Sequence, residues 1–119
     1  MWIESQKVQD AIIRALADEY SRKIILKTID KAESVEELSR QENIPISTAY
    51  RRVNEMKDDG ILTVERTILT EDGKKYELYR SAFKSLEIDL KQGQINMVGE
   101  FNEDVAARLS RLWAQMRPG

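Results

Sequence analysis

Hydroxyl, phenol and guanidinium side chains are concentrated in one short segment of this chain. Within residues 47–52 these side chains belong to Ser47, Thr48, Tyr50, Arg51 and Arg52. Hydroxyls near a helix start can hold phosphate oxygens, together with the free backbone N–H groups there. An arginine can bond the O6 and N7 atoms of guanine, and a tyrosine can stack on a sugar or touch a thymine methyl. These residue types indicate contact with double-stranded DNA.

Three more cations lie near a predicted turn. Arg66 belongs to a run rich in β-forming residues, and Lys74 and Lys75 follow Glu71-Asp72-Gly73, a sequence typical of a hairpin turn. Cations near the tip of such a hairpin are candidates for contact with the DNA backbone or the minor groove. Turns are also commonly charged, so ordinary solvated lysines are the competing interpretation.

The charge balance limits how the chain could bind DNA. The net charge is −2 and the pI is about 5.3, which counts against a non-specific DNA coater. Residues 47–80 contain seven basic and seven acidic side chains, so they do not form a basic block. Arg51 and Arg52 could also be solvated residues that pair with Glu55 one turn on. Any affinity for DNA must therefore depend on the placement of a few cations.

Apolar spacing predicts two helices before this segment. Residues 5–17 form the first amphipathic helix, and Asp18 is the N-cap of the second. We expect Ile24 to widen the core stripe of the second helix towards another face. The stripe itself is predicted to contain Ile25, Leu26 and Ile29.

Two further helices are predicted around a turn at Asn43-Ile44-Pro45. Ser34 and Glu37 match a capping box, in which the serine caps the helix and the glutamate reaches back. Pro45 is well suited to the start of the next helix. Gly60 is a natural stop at its end. The buried side of this helix is predicted to consist of Ala49, Val53 and Met56.

Two β-hairpins are predicted after these helices. Residues 61–70 and 75–80 are rich in Ile, Thr, Val and Tyr, which is typical of strands. A second hairpin spans residues 85–101, with its turn at residues 91–94. We expect this second hairpin to extend the first sheet, to support a dimer or to contact another protein, and the sequence does not choose among the three.

The end of the chain has the spacing of a coiled-coil seam. Asn102 can cap a last helix, whose apolar side chains step by four, three and four residues. We expect this helix to form a homodimer, with Trp2 and Ile3 joining the interface; packing on its own domain is the alternative. The predicted dimer contacts are Val105, Leu109, Leu112, Trp113 and Met116.

Cys and His are both absent. Their absence excludes disulfides, thiolate or imidazole metal sites, and catalysis by a Cys–His or Ser–His pair. No apolar run approaches the ~18 residues of a membrane-spanning helix. The acidic pairs Glu36-Glu37 and Asp58-Asp59 lie at helix ends, where caps and solvated charge are expected. We therefore predict a cytoplasmic non-enzyme that uses no cofactor or metal and has no membrane partner.

Four segments in order resemble ArsR-like winged helix-turn-helix regulators, in particular the archaeal single-domain members. They are DEYSRKIIL at 18–26, VEELS at 35–39, IPISTAYRRV at 44–53 and DGIL at 59–62. The resemblance covers roughly residues 8–80. It implies a homodimeric transcriptional regulator that lays the helix carrying residues 47–52 in the major groove. Metal-sensing members use Cys, His or acidic ligands, so a thiolate arsenic or zinc sensor is excluded for this chain.

These observations predict an α+β fold with two parts. Residues 1–101 form a winged helix-turn-helix domain with a wing and a second hairpin, and residues 102–119 form the dimerisation helix. The predicted partners are double-stranded DNA and a second copy of the chain. The alternative is a winged-helix module for protein–protein interaction, or an accessory of the transcription machinery that does not read DNA directly.

Overall fold

The fold is known from a computed structural model, which describes residues 1–102. The predicted α+β class is confirmed, because a helix-turn-helix precedes two hairpins. The predicted terminal helix lies outside the described residues. The elements are α1 (Gln6–Ala17), α2 (Glu19–Lys27), α3 (Val35–Glu42), α4 (Ile46–Asp58), β1 (Leu62–Leu69), β2 (Lys75–Ser81), β3 (Phe83–Lys91) and β4 (Gln94–Phe101).

Side-chain caps begin the first three helices. The Asp18 carboxylate accepts the backbone N–H of Ser21 at 2.8 Å, and Ser34 Oγ accepts that of Glu37 at 3.2 Å. The serine half of the predicted capping box is therefore confirmed. The glutamate half is wrong, because the Glu37 carboxylate accepts hydrogen bonds from Arg40 and Gln41 instead. Both donors lie one turn along the same helix, where they meet the carboxylate directly.

The turn between α3 and α4 is built on one left-handed residue. Asn43 has a φ of 54°, a conformation that asparagine tolerates better than most residues. The backbone N–H of Ile44 then donates to the Ser39 carbonyl at 2.9 Å. Pro45 follows directly and precedes the first residue of α4, so its missing N–H leaves no helical hydrogen bond unmade. This turn sets the direction in which α4 leaves α3.

The core face of α2 differs from the predicted one. Ile24 is completely buried, whereas Leu26 is 63% exposed, so the prediction that placed Leu26 in the core stripe is wrong. Successive helical residues are rotated by about 100°, so the buried face that contains Ser21, Ile24 and Thr28 leaves Leu26 on the opposite side. Ile25 and Ile29 lie at the edge and are half-buried.

The two hairpins form separate antiparallel sheets, β1–β2 and β3–β4. Of the three alternatives for the second hairpin, extension of the first sheet is therefore excluded. Instead, the start of the chain pairs with β4: Ile3 N–H donates to the Met97 carbonyl, and Gly99 N–H donates to the Met1 carbonyl, both at 2.9 Å. Ile3 is buried in the core next to Gly99, while Trp2 remains exposed.

The core lies between the helices and the inner ends of the hairpins. Its largest completely buried side chains are those of Ile24, Leu38 and Met97, with Leu62 almost completely buried. It holds α4 against α2, α3 and β1. None of the helices within residues 1–102 is long and apolar enough to cross a membrane.

Candidate nucleic-acid interface

The two sides of α4 match the predicted division. Ala49, Val53 and Met56 are buried, which confirms the predicted inner side. On the outer side, Ser47, Tyr50 and Arg51 are exposed, and Thr48 and Arg52 are half-buried. The fold therefore presents all five predicted residues on a single helix, along a surface that residues 1–102 leave accessible.

The first turn of α4 is open to an external acceptor. Pro45 occupies the cap position, no side chain caps the helix, and no acidic residue lies in the first turn. The first N–H groups of a helix lack partners within the helix, and they carry the positive end of its dipole. By contrast, α3 has a serine cap and two acidic residues in its first turn. The start of α4 is thus the better of the two for a phosphate.

Tyr50 connects α4 to α3. Its hydroxyl donates a hydrogen bond to the Glu36 carboxylate, and this bond raises the pKa of Tyr50 above its usual value. The phenolic proton is therefore directed at a protein acceptor, while the ring stays exposed at the surface. Glu36 also brings a negative charge to the surface beside α4.

Arg52 connects α4 to the beginning of α2. Its Nε and Nη2 donate to the two carboxylate oxygens of Asp18 at 3.1 and 3.2 Å, and its Nη1 lies 3.6 Å from Glu55. The backbone N–H of Ser21, and then the Arg52 guanidinium, lower the pKa of Asp18. Pairing with Glu55, the alternative considered for both arginines, occurs for Arg52. Arg51 forms no ion pair with any of residues 1–102.

The wing is the hairpin formed by β1 and β2, and Thr70 holds its turn. Its N–H donates to the Lys74 carbonyl at 2.8 Å, and its Oγ1 accepts the Lys74 N–H at 3.0 Å. Gly73 has a φ of 84°, which the turn requires. Lys74 Nζ lies 4.0 Å from Asp72, so this cation is partly neutralised, while Lys75 is exposed at the start of β2.

A groove of about 360 Å³ separates α4 from the wing. Tyr50 and Lys57 line its helix side, and Thr67, Lys75 and Glu77 line its wing side. The fold thus brings the predicted residues Tyr50 and Lys75 to one place. The groove also adjoins Tyr79, whose pKa is raised to about 12 by burial and by its hydrogen bond to Glu77.

Arg66 points to the other face of the wing. The strand register pairs Arg66 with Leu78 and Thr67 with Glu77, across a bulge at Glu65. Paired residues share a face and successive residues alternate, so Arg66 and Thr67 face opposite ways. The fold therefore separates Arg66 from the groove that Thr67 lines.

Lys57 and Thr67 are among the groove residues that the sequence prediction missed. Lys57 lies seven residues after Tyr50 on α4, a spacing that puts both on one helical face. The helical period alone could therefore have found Lys57. Thr67 could not have been found in this way, because the bulge at Glu65 shifts the alternation of the strand.

Ion pairs reduce the cationic character of residues 47–80. Arg80 donates to Glu65 at 2.8 Å and to the Ile29 carbonyl at 2.9 Å, and Arg52 and Lys74 are also paired with carboxylates. Of the seven cations in residues 47–80, four form no ion pair with residues 1–102: Arg51, Lys57, Arg66 and Lys75. Within the same residues there is no cluster of three or more acidic, His or Cys side chains that could hold a metal ion. The predicted dimer contacts lie outside the described part of the chain.

Comparison with known proteins yields structural similarity only. Neither a scan against protein-family models nor a search of curated proteins gives a match. Reduced HlyU from Vibrio cholerae aligns with a TM-score of 0.51 and 16% identity, over 93% of this chain and 90% of HlyU. A possible transcriptional regulator from Methanosarcina mazei aligns with a TM-score of 0.50 and 19% identity, over 97% and 89%. At such identities the shared property is the fold.

Proposed function

We propose that this chain is a sequence-specific DNA-binding transcriptional regulator of the ArsR-like, archaeal type, acting in the cytoplasm as a homodimer. The observation that carries the proposal is the outer side of α4. It has an uncapped first turn, exposed hydroxyl and guanidinium groups, and a groove that separates it from the wing. The possible regulator from M. mazei, which shares the fold, supports the same role. The role requires no catalysis, cofactor, metal or membrane.

Arg51 is the proposed base-reading residue. It is exposed and forms no ion pair with residues 1–102, so its guanidinium can turn to a guanine edge in the major groove. Ser47 and Thr48 hold phosphates with the first amides of α4. Tyr50 presents its ring to a sugar or a thymine methyl, because its hydroxyl is bonded to Glu36.

Arg52 has a different proposed part in DNA binding. Direct contact with a base would require its three carboxylate contacts to break. Each charge-assisted hydrogen bond contributes roughly 1.5–3 kcal/mol, so keeping them is favoured. We propose that Arg52 orients α4 from the edge of the DNA contact by holding it against the start of α2.

The wing supplies contacts that do not depend on sequence. Lys75, with Lys57 across the groove, would meet the phosphates that flank the major groove. Lys74 at the turn reaches the backbone beyond them or the minor groove, and Arg66 contacts DNA only from the far face of the wing. These four cations are expected to contribute differently to DNA affinity, with Lys75 contributing most and Arg66 least.

Dimerisation would place two copies of α4 on one duplex. Residues 1–101 would act as the DNA-binding domain and residues 102–119 as the dimerisation helix, with Leu109 in its seam. Two-fold related recognition helices read half-sites about one helical turn apart, ~10 bp or a multiple. The operator is therefore expected to be an inverted repeat.

The test is binding to the DNA upstream of the chain's own gene, against random DNA, across a salt series. Arg51→Ala is expected to weaken specific binding by ~1–3 kcal/mol and to relax the base preference at one position. Lys91→Ala is the control for the loss of one positive charge, since Lys91 is exposed at the turn of the second hairpin, in a sheet separate from β1–β2. No preference for the upstream DNA, or equal affinities for the two variants, would reject the proposal.

A second candidate function follows from the acidic groups beside α4. Glu36 and Glu77 face the surface between α4 and the wing, where they oppose a DNA backbone. They favour a protein partner with basic side chains, as in an accessory of the transcription machinery. This candidate predicts a stoichiometric complex with one protein, and no DNA affinity at any salt concentration.

A further inference from the structure

An apolar groove of about 220 Å³ opens on the side of the molecule away from the wing. It runs between α2 and β3 and is here called the α2–β3 groove. Leu26 forms part of one wall and is 63% exposed, and Ile88 forms part of the other and is 42% exposed. Its apolar lining includes Leu26, Ile29, Phe83, Leu86 and Ile88.

The second hairpin continues this groove as an apolar strip. The register pairs Ile88 with Met97 and Leu90 with Ile95, so these four side chains share one face. Met97 is completely buried under the body of the domain, whereas Leu90 is 76% exposed. The same face is thus covered at its base and bare towards its tip. A contiguous bare strip of this kind marks an interaction surface, unlike scattered exposed apolar residues.

The chain leaves the described structure beside this groove. Asn102 is buried, and its Nδ2 donates to the Ser81 carbonyl at 2.7 Å and to the Ile29 carbonyl at 3.2 Å. Its N–H also donates to the Ala82 carbonyl at 3.0 Å. Since Ile29 and Ser81 both line the groove, Asn102 lies at the base of the groove.

The remaining chain matches the groove in length and chemistry. Seventeen residues follow Asn102, and Val105, Leu109, Leu112 and Met116 are spaced as one side of a helix. A helix of that length is about 25 Å long. The strand from Phe83 to Leu90 is about 24 Å long. The apolar side chains from Val105 to Met116 span eleven residue steps, about 17 Å of helix, so the predicted apolar side could cover about two thirds of the wall formed by β3.

We propose that each α2–β3 groove receives the apolar side of residues 103–119 from a second copy of the chain. This inference rests on the homodimer of the proposed function and assigns the surface that the seam meets. Exchanging the two segments gives a two-fold symmetric interface that fills both grooves at once.

The direction of the chain at Asn102 favours the segment of a second copy, rather than that of the same chain, as the occupant of the groove. Strand β3 leads from the base of the groove to its tip, and β4 returns antiparallel, so the chain moves out of the groove at Asn102. To enter its own groove, the segment would have to reverse immediately. Reversing connections normally take about 2–6 residues, and the helix predicted from the sequence to begin after Asn102 would leave none for this purpose. The segment of a partner can enter without such a reversal.

Cysteine cross-linking tests the proposal, since the full chain has no Cys of its own. One preparation carries Ile88→Cys and the other carries Leu109→Cys; they are mixed, allowed to exchange subunits and treated with a short thiol cross-linker. We expect a covalent heterodimer. Glu87→Cys replaces Ile88→Cys in the matched control, because Glu87 lies on the opposite face of β3. That control should yield little or no product with Leu109→Cys.

Three outcomes would overturn the proposal. The first is a cross-link within single chains carrying both cysteines, which would mean that the segment folds back on its own groove. The second is strong self-cross-linking of Leu109→Cys alone, which would mean that the two segments meet each other. The third is no reaction at either position in a dimer of the correct mass.

Solution mass separates this inference from the homodimer itself. Leu26→Glu at the exposed wall should leave the fold intact and raise the Kd of dimerisation by about tenfold or more. An unchanged dimer in this variant would reject the groove but keep the proposed homodimer. A monomeric wild-type chain at micromolar concentration would reject both, and DNA binding measured on the same sample would still test the regulator role.

Discussion

The wing side and the groove side of this molecule are built from the same kind of element but offer different chemistry. Each side combines a helix with an antiparallel hairpin that has one bulge: α4 with β1–β2, and α2 with β3–β4. On the wing side, polar contacts hold α4 to the neighbouring helices: Tyr50 bonds Glu36 of α3, and Arg52 bonds Asp18 at the start of α2. The groove side is connected by apolar packing around Met97. The backbone of the hairpin is therefore compatible with either type of surface, and its side chains select the partner.

This difference predicts how the two sides respond to conditions. Interactions between charges near the surface weaken with salt and with loss of ionisation, whereas apolar burial is not screened by salt and contains no group to ionise. We expect the wing side to lose order first in acid, while the groove side stays packed. Three substitutions test this difference between the two sides.

Met97→Ala is expected to have the largest effect. It removes a completely buried side chain that fastens β4 to the core, at a loss of about 2–5 kcal/mol in the free energy of unfolding. Leu69→Ala in the wing is the control and should cost under about 0.5 kcal/mol, because Leu69 is 67% exposed. Urea unfolding measures both. Equal losses would mean that the wing contributes as much apolar packing as the second hairpin.

Asp18→Ala is expected to have an intermediate effect. It removes the cap of α2 and the partner of Arg52, at a cost of about 1–2 kcal/mol. Asp18→Asn retains the cap and removes only the charge, so it should cost less. Urea unfolding at pH 7 gives both values.

The stability that the Asp18 carboxylate contributes should fall as the pH is lowered. Its pKa is lower in the folded state than the ordinary value of 3.8, so the carboxylate stabilises the fold above that value. This stabilisation is lost as the pH falls through the folded-state pKa, below 3.8. The difference between wild type and Asp18→Asn should therefore be complete at pH 6 and shrink below pH 4. A difference independent of pH would mean that the Asp18–Arg52 pair contributes nothing.

Glu36→Gln is expected to have the smallest effect of the three, and the quantity it changes is the affinity for DNA. It removes a negative charge from the surface beside α4 while keeping an acceptor for Tyr50. If DNA lies on that surface, affinity should rise by up to about 1 kcal/mol at low salt, and the gain should fade as salt increases. Filter binding or fluorescence anisotropy would measure it. Unchanged affinity at low salt would place the DNA elsewhere.

Local patterns in the sequence identified most of the scaffold of the candidate site. The four- and three-residue spacing of Ala49, Val53 and Met56 predicted which side of α4 is buried, and Ser34 predicted where α3 begins. Such predictions succeed because helical periodicity and capping depend on residues within one or two turns of each other. The charge count likewise indicated that DNA binding must depend on a few placed cations.

Long-range contacts decided what those patterns could not. Arg52 and Asp18 lie 34 residues apart, so only the packing of α4 on α2 shows that this guanidinium is paired, whereas that of Arg51 forms no ion pair within residues 1–102. The separate sheets, and the bulge that turns Arg66 away from Thr67, also follow from pairing between distant residues.

By itself, the sequence determined the order of the elements, the buried side of α4 and the residue types at its surface. The tertiary structure alone decided which cations form ion pairs within residues 1–102, and that Leu26 and the second hairpin form an open apolar groove. The physical reason is range. Backbone propensity and periodicity act within a few residues, whereas burial and ion pairing depend on which segments meet in space.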